Sequence, residues 1–208
     1  MTVIALIRHA PTAWNDEGRI QGRSDIPLSP RGRVLAGGWT MPPDIADLDW
    51  VASPLVRTRE TAALLGAPDC DTDARLMEAD WGEWEGRVLA ELRAEMGEVL
   101  ARNEARGLDL QPPGGESPRD VRNRFASWLA DVSATGQGTA AVTHNGVIRA
   151  AYSLATGWDM KTKDDAPRAF GMAHLFQADS GGNFQVVALN ISLAQNADAG
   201  DTGHSAQP

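Results

Sequence analysis

Short uninterrupted apolar runs alternate with amphipathic stretches along the chain, which is the pattern of strands that alternate with helices. Three apolar runs have the length of buried strands and lie at Thr2–Ile7, Trp50–Ala52 and Thr139–Thr143. Two later segments, Met172–Phe176 and Phe184–Leu189, flank a glycine-containing turn at 180–183 and predict a closing pair of strands.

Serine–proline pairs mark the predicted helix starts, because serine caps a helix N-terminus and proline fits the first helical position. Such pairs occur at Ser29-Pro30, Ser53-Pro54 and Ser117-Pro118. The first helix is expected to run to about Thr40, where Pro42-Pro43 stops it, and the second to end near Gly66. Further helical patterns cover 85–106 and 147–155, and Gly- and Pro-containing loops are predicted at 15–30 and 111–115.

The alternation of strands and helices predicts an α/β fold, a three-layer sandwich with a mostly parallel central sheet. A length of 208 residues suits one domain with a sizeable core, and we assign residues 1–194 to it. The remaining segment, 195–208, is small, polar and Gly-rich, and is predicted to be a disordered tail.

The composition of the chain argues against several classes of binding partner and of covalent or metal site. The formal net charge is -9 and no run of Lys or Arg interrupts the acidity, so binding to nucleic acid or to an anionic membrane is disfavoured. No apolar run is long enough to span a bilayer, and Arg8 cuts short the apolar start, so the cytoplasm is the expected location. The single cysteine, Cys70, excludes an intrachain disulfide, and no spacing typical of metal ligands surrounds it.

Candidate chemistry lies at the ends of the predicted strands. Arg8 and His9 follow the first strand, and His144 follows the third strand and precedes a helix. Ligands of parallel sheets bind beyond the carboxyl ends of the strands, so the two histidines are expected to meet there. The second strand leads to Arg57 on the first turn of a helix, which adds another guanidinium suited to clamping phosphate. Residues 145–146 open the helix after the third strand, and its free amides favour an anion.

Five separated segments resemble, in order, the motifs of the histidine phosphatase superfamily, which includes the cofactor-dependent phosphoglycerate mutases. The matching segments are Arg8-His9-Ala10, 18–22 continuing to 27–29, Ser53–Thr58, Glu78 with 84–86, and 143–149. An Arg-His pair alone is a weak signal, whereas five motifs in the expected order are specific. The resemblance covers residues 4 to about 150 and implies a phosphoglycerate mutase-like fold.

The resemblance also implies roles for individual residues. His9 is the implied nucleophile that becomes phosphorylated, and Glu78 is the implied proton donor. Arg8, Arg57 and His144 are implied to hold the phosphoryl oxygens. The predicted substrate-binding residues are Asn15, Gln21, Gly22 and Asn145. No metal and no cofactor are expected, because a cationic pocket supplies the positioning and charge stabilisation that phosphoryl transfer needs.

Three positions depart from the common pattern of the family. Ala10 stands where glycine is common, Pro11 where an acidic residue is common, and Asn145 where a small residue is frequent. The first two lie beside His9, where they bear on how a substrate approaches the nucleophile. Other acids close to Glu78 leave its assignment less specific than that of His9; they are Asp80, Glu83 and Glu85.

Hydrolysis of a small phosphorylated metabolite is the favoured reaction. A mutase must exclude water and hold a second phosphate or carboxylate, and the mutases use a Lys-, Arg- and Pro-containing insertion after the acid for this. Here 86–115 contains no Lys and only the pair Pro112-Pro113, and Trp81 replaces the mutases' tyrosine. A catalytically inactive binding module is a third alternative, disfavoured because the key residues are present. The substrate's identity and the oligomeric state stay open.

Overall fold

A six-stranded mixed sheet lies at the centre of the protein, whose structure, a computed structural model, describes residues 1–162, 169–179 and 181–193. The strands are β1 (Thr2–Arg8), β2 (Asp49–Ala52), β3 (Asp71–Thr72), β4 (Thr139–Thr143), β5 (Met172–Ala178) and β6 (Phe184–Ser192). Their order in the sheet is β3-β2-β4-β1-β5-β6. The strands β1 to β4 are parallel to one another, and β5 and β6 add an antiparallel pair at one edge.

Helices connect the strands. The α-helices of the described residues are α1 (Ala13–Asp16), α2 (Pro30–Gly37), α3 (Pro43–Ala46), α4 (Val56–Leu64), α5 (Leu89–Met96), α6 (Glu98–Glu104), α7 (Pro118–Thr135) and α8 (Asn145–Thr156). Short 3-10 helices lie at Ala74–Leu76, Gly82–Trp84 and Gly107–Asp109.

Alternate residues of β1 face opposite sides of the sheet, so each face can bury its own helical layer. Ile4 and Leu6 pack in one apolar cluster with α7 and α8. Ala5 and Ile7 pack in a second cluster that contains Ile45 of α3. The predicted α/β sandwich with three layers and a mostly parallel sheet is therefore confirmed.

Two of the three serine–proline pairs start helices as predicted. The hydroxyls of Ser29 and Ser117 accept hydrogen bonds from backbone amides in the first turns of α2 and α7, at 3.0 and 3.2 Å. The third prediction is wrong, because α4 begins only at Val56 and has no side-chain cap. The hydroxyl of Ser53 instead forms a hydrogen bond of 2.8 Å with the His144 ring.

Several predicted boundaries need correction. The single helix expected over 85–106 is wrong, because Gly97 adopts a positive φ of 50° and separates α5 from α6. Helix α2 ends at Gly37 rather than near Thr40. Pro43 takes the first position of α3 in addition to stopping the preceding segment. The strand β3 was not predicted, since its two residues are exposed and carry no apolar pattern.

The predicted tail at 195–208 lies outside the described residues, and the assignment of 1–194 to one domain stays a prediction. Within the described ranges, no helix combines the length and the apolar character needed to cross a membrane.

His174 is a buried member of β5 whose Nδ1 accepts the amide hydrogen of Asn190 at 3.1 Å. Burial lowers its pKa from the ordinary 6.5 to about 4. Between these two values the unfolded chain binds a proton that the folded protein does not bind. Acidification through this range therefore favours the unfolded state.

We expect the free energy of unfolding to fall as the pH is lowered from about 6.5 to about 4, and His174 to account for part of the slope. The variant His174→Asn keeps an oxygen that can accept the Asn190 amide but removes the titrating ring, so its pH dependence should be shallower. Urea unfolding of both proteins across this range measures the difference. Equal slopes would show that His174 does not contribute.

Candidate active site

The two histidines meet at the carboxyl edge of the sheet, as the sequence predicts. The parallel pairing of β1 and β4 places Arg8 opposite Thr143, so the next residue of each strand is a histidine. The His9 amide donates to the Thr143 carbonyl at 3.0 Å, and the ring centroids of His9 and His144 lie 5.1 Å apart. Both residues are buried. Strand register therefore sets the distance between them.

Hydrogen bonding decides the tautomer of His9. Its Nδ1 lies 2.7 Å from the carbonyl oxygen of Ala10, and a carbonyl can only accept, so Nδ1 carries the hydrogen and Nε2 carries the lone pair. The Ala10 amide donates to the Thr61 hydroxyl at 3.0 Å, which fixes the same turn from α4. Burial, and then the charges of Arg57 and Arg8, hold the pKa of His9 well below its usual range. The ring is thus a neutral imidazole with Nε2 as its nucleophilic atom.

Arg57 is buried completely and is held from two sides. Its Nη1 donates to the Ser24 carbonyl at 2.9 Å and its Nη2 to the Gly22 carbonyl at 2.7 Å. Its Nε is also buried and finds no hydrogen-bond partner among the described residues. Burial lowers the pKa of Arg57, and the carboxylate of Glu78 opposes that shift. The guanidinium is therefore a fixed cation beside both histidines.

The loop that holds Arg57 is itself anchored by Glu85. The two carboxylate oxygens of Glu85 accept the amides of Arg23 and Ser24 at 2.6 and 2.8 Å, and the Ser24 hydroxyl at 2.6 Å. Gly22 has a positive φ of 55°, and a Cβ atom there would overlap the Glu85 carboxylate. Gly22 is thus a residue that allows a close approach and presents a carbonyl to Arg57; its predicted contact with substrate stays a prediction.

Arg8 lies at the end of β1 with its guanidinium carbon 3.8 Å from the centroid of the Phe170 ring. Burial lowers its pKa to about 10, so it remains a cation at neutral pH. The Phe170 ring also lies 6.2 Å from the His9 ring in an edge-on arrangement. Sequence reasoning missed Phe170, because it is a single aromatic residue outside any recognisable motif.

His144 adjoins Ser53, whose hydroxyl lies 2.8 Å from its Nε2. Its Nδ1 is buried without a hydrogen-bond partner among the described residues. Burial, and then the charge of Arg57, hold the pKa of His144 well below its usual range. Sequence reasoning missed the role of Ser53, since Ser53-Pro54 matches a helix start equally well.

Glu78 lies against the N-terminus of α8. Its two carboxylate oxygens accept the Gly146 amide at 3.1 and 3.2 Å, and one of them accepts the Ala79 amide at 2.9 Å. A Cβ atom on Gly146 would overlap the carboxylate, so a larger residue here would have to displace the Glu78 side chain. The sequence predicts that free amides at 145–146 favour an anion. In the structure, the group that accepts the Gly146 amide is the side chain of Glu78.

Arg124 of α7 supports the Glu78 segment from behind. Its guanidinium donates to the carbonyls of Glu78 and Arg75 at 3.1 and 2.6 Å, and to the carboxylate of Glu116 at 3.1 Å. Glu116 in turn accepts the Asp80 amide at 3.0 Å. Sequence reasoning missed this buttress, because an arginine within a helix carries no signal of what it contacts across the fold.

Three further residues are predicted to bind substrate, and within the described part of the chain the structure shows hydrogen-bond partners for the side-chain oxygen of only one of them, Asn15. The side-chain oxygen of Asn15 accepts the amide and the hydroxyl of Thr12 at 3.0 and 3.1 Å, so it caps α1. Gln21 Oε1 and Asn145 Oδ1 are buried without a hydrogen-bond partner among the described residues. Their predicted contacts with substrate are not tested by this geometry. In the described ranges, no group of three or more His, Cys, Asp or Glu residues could hold a metal ion.

A sequence model of the histidine phosphatase superfamily (branch 1) matches residues 4–191. The chain belongs to this superfamily. A relative from Gloeobacter violaceus, named 2,3-bisphosphoglycerate-dependent phosphoglycerate mutase 2, is 31% identical over 165 residues, 72% of this chain and 74% of its own. Phosphoserine phosphatase 1 from Hydrogenobacter thermophilus is 31% identical over 166 residues, 77% and 79% of the two chains.

Among solved structures, the mycobacterial glucosyl-3-phosphoglycerate phosphatase in complex with VO3 is similar, with a TM-score of 0.72 and 25% identity. The match covers 94% of this chain and 100% of that one. Similar members of the superfamily thus include enzymes named as phosphatases and as mutases, which identifies this chain as a phosphatase or mutase enzyme but leaves its substrate open.

In this member of the histidine phosphatase superfamily, Arg57 and Arg59 lie on the same helix, but only Arg57 is buried beside the histidines. Loss of one fixed charge-stabilising donor costs about 10²–10³-fold in kcat. We expect that loss, or more, for Arg57→Ala with p-nitrophenyl phosphate, and a rate near wild type for the exposed control Arg59→Ala.

Thermal unfolding of both variants distinguishes a catalytic loss from a folding defect, since Arg57 also holds two loop carbonyls. Arg57→Lys keeps the charge but not the paired donors, so it should recover only part of the rate. A larger loss in Arg59→Ala than in Arg57→Ala would contradict the assignment.

Proposed function

We propose that the protein hydrolyses phosphate monoesters of small metabolites through a phosphohistidine at His9. The observation that carries this proposal is the hydrogen bond between His9 Nδ1 and the Ala10 carbonyl, which leaves Nε2 as the nucleophile. The flanking cations, Arg8 and Arg57, favour a phosphoryl group at this position and oppose protonation of the ring.

In the first step, Nε2 of His9 attacks phosphorus, so that an N–P bond forms as the bond from phosphorus to the leaving oxygen breaks. Glu78 donates a proton to that oxygen, which an alkoxide requires in order to leave. Arg8, Arg57 and His144 stabilise the charge on the phosphoryl oxygens. The amides of Gly146 and Ala79 then stabilise the carboxylate that Glu78 has become.

In the second step, the Glu78 carboxylate takes a proton from water, whose oxygen attacks the phosphorus of phosphohistidine. The N–P bond breaks, the electron pair returns to Nε2 of His9, and inorganic phosphate leaves with Glu78 protonated again. One carboxyl group therefore acts as the acid in one half-reaction and as the base in the other. The hydrogen bond from Arg124 to the Glu78 carbonyl keeps the backbone of Glu78 in place for both half-reactions.

We further propose that no metal ion takes part, because the arginines already provide the positive charge that metal ions supply in other phosphoryl-transfer sites. Burial of Arg57 strengthens its interaction with an anion, since little water screens it.

A mutase reaction is the second candidate, supported by the name of the Gloeobacter relative. It would use the same phosphohistidine but return the phosphoryl group to an organic acceptor instead of water. The composition of 86–115 favours hydrolysis, because its cations are four arginines and no Lys, whereas the mutases use a Lys-, Arg- and Pro-containing insertion to retain a second anionic group.

Phosphorylation of His9 can be tested directly. The variant His9→Ala should lose turnover, and wild type mixed briefly with a labelled phosphate ester in the presence of a metal chelator should yield an acid-labile phosphoenzyme. His174→Asn is the matched control and should still be labelled, since that ring lies in the core.

Full activity in His9→Ala would exclude the mechanism, and loss of labelling on chelation would exclude its metal independence. The product separates the two candidate reactions, since a hydrolase releases inorganic phosphate from 3-phosphoglycerate and a mutase forms 2-phosphoglycerate.

The role of Glu78 can be tested with two leaving groups. General-acid catalysis contributes about 10²–10⁴-fold, and an alkoxide needs the proton whereas a nitrophenolate does not. We expect Glu78→Gln to slow phosphorylation of His9 far more with an alkyl phosphate than with p-nitrophenyl phosphate. With the latter, a burst of product should precede a slow steady state, because no base activates water.

Stopped-flow measurements on both substrates separate the two half-reactions. Glu83→Gln is the matched control, because Glu83 is an exposed neighbour on the same segment, and it should behave like wild type. An equal loss on both substrates without a burst would remove Glu78 from the acid/base role.

A further inference from the structure

A cleft of about 570 Å³ lies between α8 and the segment that contains α5 and α6. Its lining includes Ala79 and Gly146 at one end, the side chains of Trp81, Trp84 and Leu89, and the charged residue Arg149. Its volume is within the range of clefts that bury organic ligands much larger than serine or glycerate.

The cleft adjoins the general acid that we propose. Ala79 and Gly146 line it, and the amides of both donate to the Glu78 carboxylate, at 2.9 and 3.1 Å. In the proposed mechanism, an ester oxygen that receives a proton from Glu78 lies near this end of the cleft. The phosphoryl group is then at His9 on one side of that oxygen, and the rest of the leaving group can enter the cleft on the other.

The walls of the cleft are largely apolar. Trp81 and Trp84 stack with their ring centroids 6.2 Å apart and their planes 22° from parallel. The same apolar cluster includes Ile20 and Leu110, and Leu89 adds a further aliphatic side chain to the lining. Covering such a surface with an apolar or aromatic group lowers the free energy, because apolar area is removed from water.

The charged side chains of the lining already interact with protein groups. Arg93 and Glu104 form an ion pair of 2.7 Å with each other. The guanidinium carbon of Arg149 lies 5.2 Å from the centroid of the Trp158 ring. Glu104 thus balances the charge of Arg93, whereas the contact with Trp158 leaves the positive charge of Arg149 in place, and apolar side chains make up the larger part of the lining.

We propose that the preferred substrates are phosphate monoesters of bulky, largely apolar alcohols or phenols, whose leaving group packs against the Trp81 and Leu89 wall. This assignment rests on the proposed hydrolase function and specifies its substrate class. Small, charged leaving groups such as those of phosphoserine and 3-phosphoglycerate leave the apolar wall exposed to water, and they are poor substrates by comparison.

A series of primary alkyl esters tests the assignment, because their leaving oxygens are chemically alike and only the apolar body changes. We expect kcat/KM for 2-phenylethyl phosphate to exceed that for ethyl phosphate by on the order of 10²-fold, since the phenyl ring adds apolar area that the cleft wall covers. Phosphoserine and 3-phosphoglycerate should fall below 2-phenylethyl phosphate. Equal values across the series, or a preference for either charged ester, would overturn the proposal.

A substitution in the cleft wall tests whether the preference for an apolar leaving group originates there. Leu89→Asp removes an apolar side chain from the wall at the first residue of α5, where an acidic residue suits a helix N-terminus and should not prevent folding. It should lower kcat/KM for 2-phenylethyl phosphate by about tenfold more than it lowers kcat/KM for ethyl phosphate, so the ratio of the two values falls. Val99→Asp on α6 is the control, since Val99 is 57% exposed and lies outside the lining, and it should change neither.

The outcomes separate failure of this assignment from failure of the proposed function. Turnover of p-nitrophenyl phosphate that depends on His9, together with a flat alkyl series, would retain the hydrolase and reject the apolar leaving-group site. Absence of hydrolysis with every ester would reject both. A preference for 2-phenylethyl phosphate that persists in Leu89→Asp would also reject the site, because the selectivity would then originate elsewhere.

Discussion

The buried Arg57 guanidinium is the constraint on which the rest of the site depends. A cation without solvent needs oxygen partners, and the Gly22 and Ser24 carbonyls provide them only because Glu85 holds their loop in place. Burial first, and then the charge of this cation, hold the pKa of His9 well below its usual range. In the proposed mechanism the fixed positive charge therefore serves two purposes, since it attracts a phosphoryl group and helps to keep His9 neutral.

Glycine makes this arrangement possible at two places. Gly22 lets the loop approach the Glu85 carboxylate, and Gly146 lets the Glu78 carboxylate approach the first turn of α8. In both cases a Cβ atom would overlap a carboxylate oxygen, so any larger residue would displace a charged group that other contacts fix. The two carboxylates then differ in use. Glu85 holds a loop, whereas Glu78 lies against the first turn of α8, beside two residues that line the cleft.

The position of Glu78 connects the proposed chemistry with the proposed specificity. Its carboxylate accepts the amides of two residues that also line the cleft, so the proposed proton donor adjoins the proposed leaving-group site. The proposed phosphoryl site lies at strand ends, whereas the cleft is lined by residues of α5, α6, α7 and α8 and of neighbouring segments. The names of the relatives indicate that members of the superfamily act on different phosphate esters.

The sequence by itself determined the alternation of strands and helices, the sheet with its histidines at one edge, and the superfamily, because apolar periodicity and ordered motifs are local properties of the chain. It did not determine that Ser53 bonds to His144 instead of capping a helix, that Gly97 divides a helix, or that Arg124 supports Glu78. Each of these depends on partners distant in sequence. The tautomer of His9 and the burial of Arg57 were likewise decided only by the tertiary structure, since the hydrogen bonds and the desolvation that cause them exist only once the chain has folded.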